Sequence, residues 1–333
     1  MNKIISFTLI VLLLVSCNTQ KNKKVQVSYN QKLEKTLSVD TTFAIGDVRR
    51  YGIKINKGIG VHPKTKQKIL DELFRLSATG LTIKFPKGYY KTSLIIKNQK
   101  KVSFDFDNAS FSGSIQLIDS DSISLKGKIN SYSSFVINNG TNINLGQVTI
   151  LANKELNIAK IDPSGFQILN KSENININTI TISGLGAGEP FKYTPSALKI
   201  YGFPKTPNNI TINKVTITDS PVNGAIIMAN EVNIKDITIQ KFGYTTVKTL
   251  KKLSNTKIDP NDFVGLWLVK NTNSTYENVT ITNGEKPALR LEKESFEKVT
   301  IIENLILHSK LTEEQAIADD ERTNVVIKKI ALN

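Results

Sequence analysis

Ile175-Asn-Ile177-Asn178-Thr179-Ile180-Thr-Ile182 has three close copies in this chain. They are Ile143-Asn-Leu145-Gly146-Gln147-Val148-Thr-Ile150, Ile210-Thr-Ile212-Asn213-Lys214-Val215-Thr-Ile217 and Val232-Asn-Ile234-Lys235-Asp236-Ile237-Thr-Ile239. Apolar and polar residues alternate on each side of a two-residue break, so each half reads as a strand with one buried face. The break is usually Asn, Gly or Asp with a partner, types that accept the left-handed backbone of a sharp corner. Two later copies are degenerate: Tyr276-Glu277-Asn278-Val279-Thr-Ile281 and Phe296-Glu297-Lys298-Val299-Thr-Ile301. One such unit cannot bury its apolar face alone, but a stack of them can. The repeat therefore predicts the coils of a parallel β-helix.

From Val148 onward, successive Val/Ile-Thr-Ile triplets lie 32, 35, 22, 42 and 20 residues apart. The short steps are bare coils and the long ones carry insertions. A third strand precedes each pair: Phe166-Gln-Ile168, Leu198-Lys-Ile200, Ile226-Ile-Met228, Leu266-Trp-Leu268 and Leu289-Arg-Leu291. The insertions Ser183–Ser196 and Gln240–Val264 both fall between the Thr-bearing strand and this third strand. Between Pro63 and Ala78, Ile69, Leu70, Leu73, Phe74 and Leu76 recur at helical spacing, an amphipathic helix suited to plug one end of the stack. The expected fold is all-β: a right-handed parallel β-helix over residues 45–310 with three strands per coil and an N-terminal cap helix. Its hand follows from the preference of parallel crossovers. Residues 311–333 form a C-terminal cap or extension.

Ahead of the repeat stand Lys3 and an apolar run, Ile4 to Ser16, shorter than the roughly 20 residues a spanning helix needs; residues 1–16 read as a signal peptide. Leu14-Val15-Ser16-Cys17 matches the lipobox of bacterial lipoproteins, which implies cleavage before Cys17 and lipid on its sulfur. Residues 17–44 read as the lipidated cysteine followed by a flexible tether. The expected location is the bacterial cell envelope, with membrane contact through the lipid alone. Lys21, Lys23 and Lys24 stand where Bacteroidetes-type lipoproteins carry an acidic surface-export signal, so the leaflet stays open.

The 333 residues carry a net charge of +15, which suits a polyanionic partner. No nucleic-acid-binding motif is present, leaving an acidic polysaccharide as the expected partner of a monomeric protein. One cysteine and two histidines cannot build an internal disulfide or a zinc site of the usual His/Cys type.

Val48-Arg-Arg-Tyr51-Gly52-Ile53, Leu81-Thr-Ile-Lys-Phe85-Pro86-Lys-Gly88-Tyr89-Tyr90 and Leu94-Ile-Ile96 resemble the N-terminal region of the pectate-lyase-like (pectin lyase fold) superfamily. The resemblance implies the β-helix, and a ligand groove outside the third-strand stack between loops of the third corner. Asn56-Lys-Gly-Ile-Gly60 departs from the superfamily's aspartate-containing start, and the Asn-Thr-Asp, Asp-Asp, Gly-His-Gly and Arg-Ile-Lys motifs of its polygalacturonase-like hydrolases are absent. Fold carries over; activity does not.

The middle residues of the third strands, Gln167, Lys199, Ile227, Trp267 and Arg290, are expected to point outward, followed by Tyr201 and Glu292. If Gly165, Ala197, Ala225, Gly265 and Ala288 before them also face outward, they leave a trough. Trp267 would stack on a sugar, with Gln167, Tyr201 and Glu292 beside it, while Lys199 and Arg290 would neutralise acid groups. A lyase needs charge neutralisation, a base and an acid; Lys199, Arg290, Tyr244, Lys248, Lys251 and Lys252 are the catalytic candidates. A hydrolase needs two facing carboxyl groups, and no motif pairs Glu189, Asp259, Asp262 or Glu292. Asp259 and Asp262 alone are weak support for calcium, so neither metal nor cofactor is expected. His62 and His308 read as structural or exposed. The expected function is a polysaccharide lyase acting by β-elimination; the alternative is a non-catalytic, glycan-binding or structural β-helix.

Overall fold

The alternation becomes a stack of parallel strands. The computed structural model describes residues 33–35, 37, 39–57, 69–151, 165–184, 196–244, 262–282, 285–292, 299–319 and 324–333. Long strands Ser103–Phe111, Asp121–Ser131, Thr141–Leu151, Glu173–Ser183, Asn208–Ile217, Asn230–Gln240, Thr275–Thr282 and Thr300–His308 pair in chain order in one sheet. Short strands Leu94–Lys97, Ile115–Ile118, Phe135–Asn138, Phe166–Leu169, Ser196–Tyr201, Asn223–Ile227, Leu266–Val269 and Leu289–Glu292 pair in chain order in a second. One long and one short strand make a coil, and the protein is a parallel β-helix. Identical positions stack: Ile175 pairs with Ile143 and Ile210, and Thr181 with Thr149 and Thr216. The inward Ile, Val, Leu and Phe side chains form one buried core along the stack.

The three apolar runs of each coil are the two halves of the long strand and the short strand. From Thr141–Leu151 onward the two-residue break between the halves is a bend; only in Ser103–Phe111 and Asp121–Ser131 does it hold a left-handed residue, Asn108 and Gly127. Asn178 and Thr179 are both outward, which shifts the alternation by one residue while the hydrogen-bonded ladder continues. Most other left-handed residues of the coils flank the short strands. Asn98, Asp119, Asn139 and Asn170 follow them, and Asn142, Asn174, Asn209, Glu231 and Asn273 open the long strands or lie just before them. There the chain reverses, and Asn tolerates positive φ. Amides link successive coils: Asn142 donates to Asp121 at 2.9 Å, Asn174 to Asn142 at 3.1 Å and Asn209 to Asn174 at 2.7 Å.

The last repeat copy is out of register in the sequence reading. The partner of Val279-Thr280-Ile281 is Leu305-Ile306-Leu307, not Val299-Thr300-Ile301. Thr300 points inward, its hydroxyl donating to the Asn271 carbonyl at 2.9 Å, so the alternation frame is reversed there.

At one end lies the cap helix, Ile69–Ala78; residues 63–68 of the expected helix fall outside the described residues. Leu73 and Leu76 are fully buried and Phe74 stacks on Phe104, ring centroids 5.8 Å apart. Ser77 Oγ accepts the Ser103 amide at 2.7 Å and donates to the Ser103 carbonyl at 3.1 Å, standing in for a ladder partner. The expected tether ends earlier than residue 44. Glu34 and Leu37 are buried, and the Glu34 carboxylate accepts from Arg50 Nε at 2.9 Å and the Tyr51 hydroxyl at 2.7 Å. At the other end, residues beyond 310 extend both sheets. Ile317–Asp319 pairs with Leu289–Glu292, while Val325–Ile327 and Ile330–Leu332 pair with Thr300–His308.

Candidate functional site

Register fixes the outer face of the short-strand sheet. Gln167, Lys199, Ile226, Trp267 and Arg290 are successive neighbours in one outward column. Ile226 holds the place expected for Ile227, which is inward and fully buried. The run Ala225-Ile226-Ile227-Met228-Ala229 has no polar residue to mark its frame; pairing of Ala225 with Leu198 sets it.

The expected trough is not there. The small residues at the start of each short strand are Gly165, Ala197, Gly224, Gly265 and Ala288, and all are buried. A Cβ on Gly224 would lie 2.5 Å from Ile239 Cγ2, and one on Gly265 2.8 Å from Ile281 Cγ2, both side chains of the core. These positions face inward, where the chain turns from long strand to short, and smallness is a packing demand.

What the face does carry is two cation–aromatic pairs. Arg290 Cζ sits 5.0 Å from the centroid of the Trp267 ring, and Lys199 Nζ sits 5.3 Å from that of Tyr201. Both distances are within cation–π reach. Arg290 Nη2 also lies 3.9 Å from an Asp262 carboxylate oxygen, a long contact with an exposed partner. Trp267 Nε1 is buried with no hydrogen-bond partner, a condition that costs about 1–3 kcal/mol. Between the pairs the column is closed: Ile226 is 3% exposed and Met228 5%. Val222, Phe263 and Val264 are buried too, and all five lie outside the interior core cluster. They form outer apolar positions that divide Lys199 and Tyr201 from Trp267 and Arg290. Gln167 is half-buried beside Lys199, and Glu292 is exposed two residues beyond Arg290.

A second cluster lies at the third corner. Asp219 and Lys241 follow equivalent strands in consecutive coils, with Lys241 Nζ 3.4 Å from Asp219 Oδ2. The same ammonium lies 5.3 Å from the Tyr244 ring centroid. Burial first, and then the Asp219 carboxylate, push the Tyr244 phenol above its ordinary range. Asp219 Oδ1 is buried and unpaired. A Cβ on Gly243 would meet Phe263 Cβ at 3.1 Å and Lys286 Cγ at 3.6 Å, which sets the Tyr244 turn beside the segment carrying Asp262. Asp219 and Lys241 were missed in the sequence because their pairing spans two coils and no local motif announces it. The available signal was a charged residue two places after Ile217 and after Ile239.

Lys248, Lys251, Lys252, Glu189, Asp259, His62 and Cys17 lie outside the described residues. His308 is exposed at the end of a long strand. Among the described residues no three His, Cys, Asp or Glu side chains group as metal ligands, and no helix is long and apolar enough to cross a membrane. Comparison of the chain with protein-family models, curated proteins and solved structures finds no match.

Proposed function

We propose that this protein binds an acidic polysaccharide on the outer face of its short-strand sheet, held in the bacterial envelope by lipid on Cys17. The observation that carries this reading is Arg290 lying over Trp267 beside an unpaired indole N–H. A pyranose can lay its C–H face on an aromatic ring, and a guanidinium takes a sugar carboxylate or sulfate in a fork of two hydrogen bonds. The long contact to exposed Asp262 is one that such a group can replace. Lys199 and Tyr201, three coils and roughly 14 Å away at about 4.8 Å per coil, would meet a different residue of the same polymer.

The test is binding of uronate and sulfated oligosaccharides by calorimetry, with neutral ones as controls. Trp267→Ala and Arg290→Ala should each weaken binding of the acidic ligands about tenfold, or 1.4 kcal/mol. Arg290→Ala should also flatten the salt dependence. Unchanged binding in both variants puts the ligand elsewhere.

Tyr244 supports a second reading, that the bound polymer is cleaved by β-elimination. The Tyr244 phenol stands beside the Asp219 carboxylate and the Lys241 ammonium, groups able to move a proton at the leaving glycosidic oxygen. Appearance of the unsaturated product's ultraviolet absorbance, lost in Tyr244→Phe, is the expected result. Absence of that absorbance across a panel of uronate polymers leaves a binding protein only.

A further inference from the structure

Charge divides this molecule along its axis. From residue 33 to 102, the cap helix and the first coil, the described residues hold twelve Lys and Arg against five Asp and Glu. From residue 103 onward they hold fourteen against sixteen. Much of the excess belongs to one turn of the stack. Lys84, Lys87, Lys91, Lys97, Lys100 and Lys101 are spread over both sheets and the corners of the first coil, and all are exposed. No acidic residue occurs between Glu72 and Asp105. Lys84 stands between Asp47 and Asp105 in the strand ladder, and Lys100 opposite Asp121. Among the described residues none of the six lysines makes an ion pair, whereas Glu34, Asp47 and Glu72 at this end are paired with Arg50, Arg49 and Arg75.

Apolar surface collects at the same end. Ahead of Tyr201, the only large apolar side chains exposed among the described residues are Ile45, 51% exposed, and Ile95, 44%. Ile95 and Lys97 line one open cleft of about 460 Å³ with Leu70 and Phe74 of the cap helix, and Asp71 is its one carboxylate. Exposed lysines around scattered apolar side chains make a surface suited to anionic headgroups, with the apolar groups dipping between them. Residues 33–57, the first described after Cys17, pack at this end too, where the Lys84 amide donates to the Gly46 carbonyl at 2.8 Å.

We propose that the first coil is a second membrane contact, its lysines set on the phosphates of anionic lipid in the leaflet that holds Cys17. The proposal rests on the reading of Cys17 as the lipid anchor, and it sets aside the expectation of membrane contact through the lipid alone. A lipid chain and a basic patch together give stable attachment where one signal alone is reversible. The stack then stands on its cap. Trp267 lies six short strands further along, roughly 29 Å at about 4.8 Å per coil. That is several times the screening length of about 8 Å at physiological salt. The negative leaflet therefore does not repel an acidic polymer held at Trp267 and Arg290.

The experiment is co-sedimentation with lipid vesicles of residues 17–333 carrying Cys17→Ala, a chain that has no lipid and keeps every described residue. It should bind vesicles of phosphatidylglycerol mixed with phosphatidylcholine, more weakly as salt rises, and not vesicles of phosphatidylcholine alone. Lys87→Gln, Lys91→Gln and Lys97→Gln together should weaken binding about fivefold per charge, or about a hundredfold in all. Arginine at the same three positions should keep it. Should the glutamine triple fail to fold, Lys91→Gln with Lys97→Gln carries the same test. Lys205→Gln, Lys214→Gln and Lys235→Gln, exposed in later coils, remove the same charge and should leave binding nearly unchanged. No binding to anionic vesicles, equal binding to neutral ones, or equal loss in the two triple variants overturns the proposal. Calorimetric affinity for acidic oligosaccharides should be the same in the 87, 91 and 97 variant as in the parent; if it is lost while vesicle binding persists, these lysines serve the polymer and the proposal falls. Because the probe carries no lipid, its result does not depend on acylation of Cys17, which is read separately from the mass of the chain purified from cells.

Discussion

The outward column of the long-strand sheet reads Thr149, Thr181, Thr216, Thr238, Thr280; that of the short-strand sheet reads Gln167, Lys199, Ile226, Trp267, Arg290. Both run through the same coils and face away from the same core. The first repeats one residue five times, and threonine is what a half-exposed strand position favours. The second uses five different residues, of which only Ile226 is β-branched. Stacking alone therefore asks for very little at an outward position. Where a column departs from that minimum, something other than the stack decides it, and the cation–aromatic pairs mark where.

Polar residues that are not outward test the contrast between the two columns. Loss of the Glu34 carboxylate should cost the most. Its burial opposes ionisation, but hydrogen bonds from Arg50 and Tyr51 and the Arg50 charge outweigh that and hold its pKa below the ordinary carboxylate range. A depressed carboxyl pKa adds stability that is present above the unfolded value of about 4.3 and lost as pH falls through the folded one. Glu34→Gln leaves the half-buried Arg50 without its counter-charge. It should cost about 3 kcal/mol at neutral pH and flatten the acid limb of stability below pH of about 4, read by urea titration across pH.

Next is the small-residue row. Gly224→Val should lower stability by about 1–3 kcal/mol, because its new side chain meets Ile239. Were the row an outside trough, the midpoint of chemical denaturation would not move. The smallest effect sharpens the contrast between the columns. Thr181→Ala should change stability by no more than about 0.5 kcal/mol and glycan binding not at all. Lys199→Ala should be equally mild for stability yet weaken an acidic ligand by up to about 1 kcal/mol. Equal ligand affinity in the two variants would erase the distinction between the faces.

The middle coils were legible in the sequence because their eight-residue unit is regular and β-branched. The first two were not. Ser103–Phe111 and Asp121–Ser131 carry register shifts at Phe106/Ala109 and Leu125/Lys128, which break the unit, and Phe or Ser replaces Ile at several inward places. Frame was lost wherever alternation was: at Ala225–Ala229, all apolar, and at Thr300, a polar residue turned inward. At the site, side chains that project from single strands were found by position, as with Trp267, Arg290, Lys199 and Tyr201. Asp219 and Lys241 become neighbours only through stacking of coils whose spacing varies with each insertion, so linear sequence does not bring them together.

One property of the register has a consequence for how such a molecule changes size. Asn208 and Asn230 occupy the same place in consecutive coils, as do Ile217 and Ile239, 22 residues apart in each case. Everything between them is a closed loop of chain whose two ends are interchangeable. Removing or duplicating such a loop would change the length of the molecule by one rise of the stack and leave every remaining alternation in phase. An insertion of any other length must be thrown out at a corner, which is where Ser183–Ser196 and Gln240–Val264 begin and end. The fold thus has a unit of exchange: length varies by whole turns along the axis, and novelty of any other size is confined to the corners.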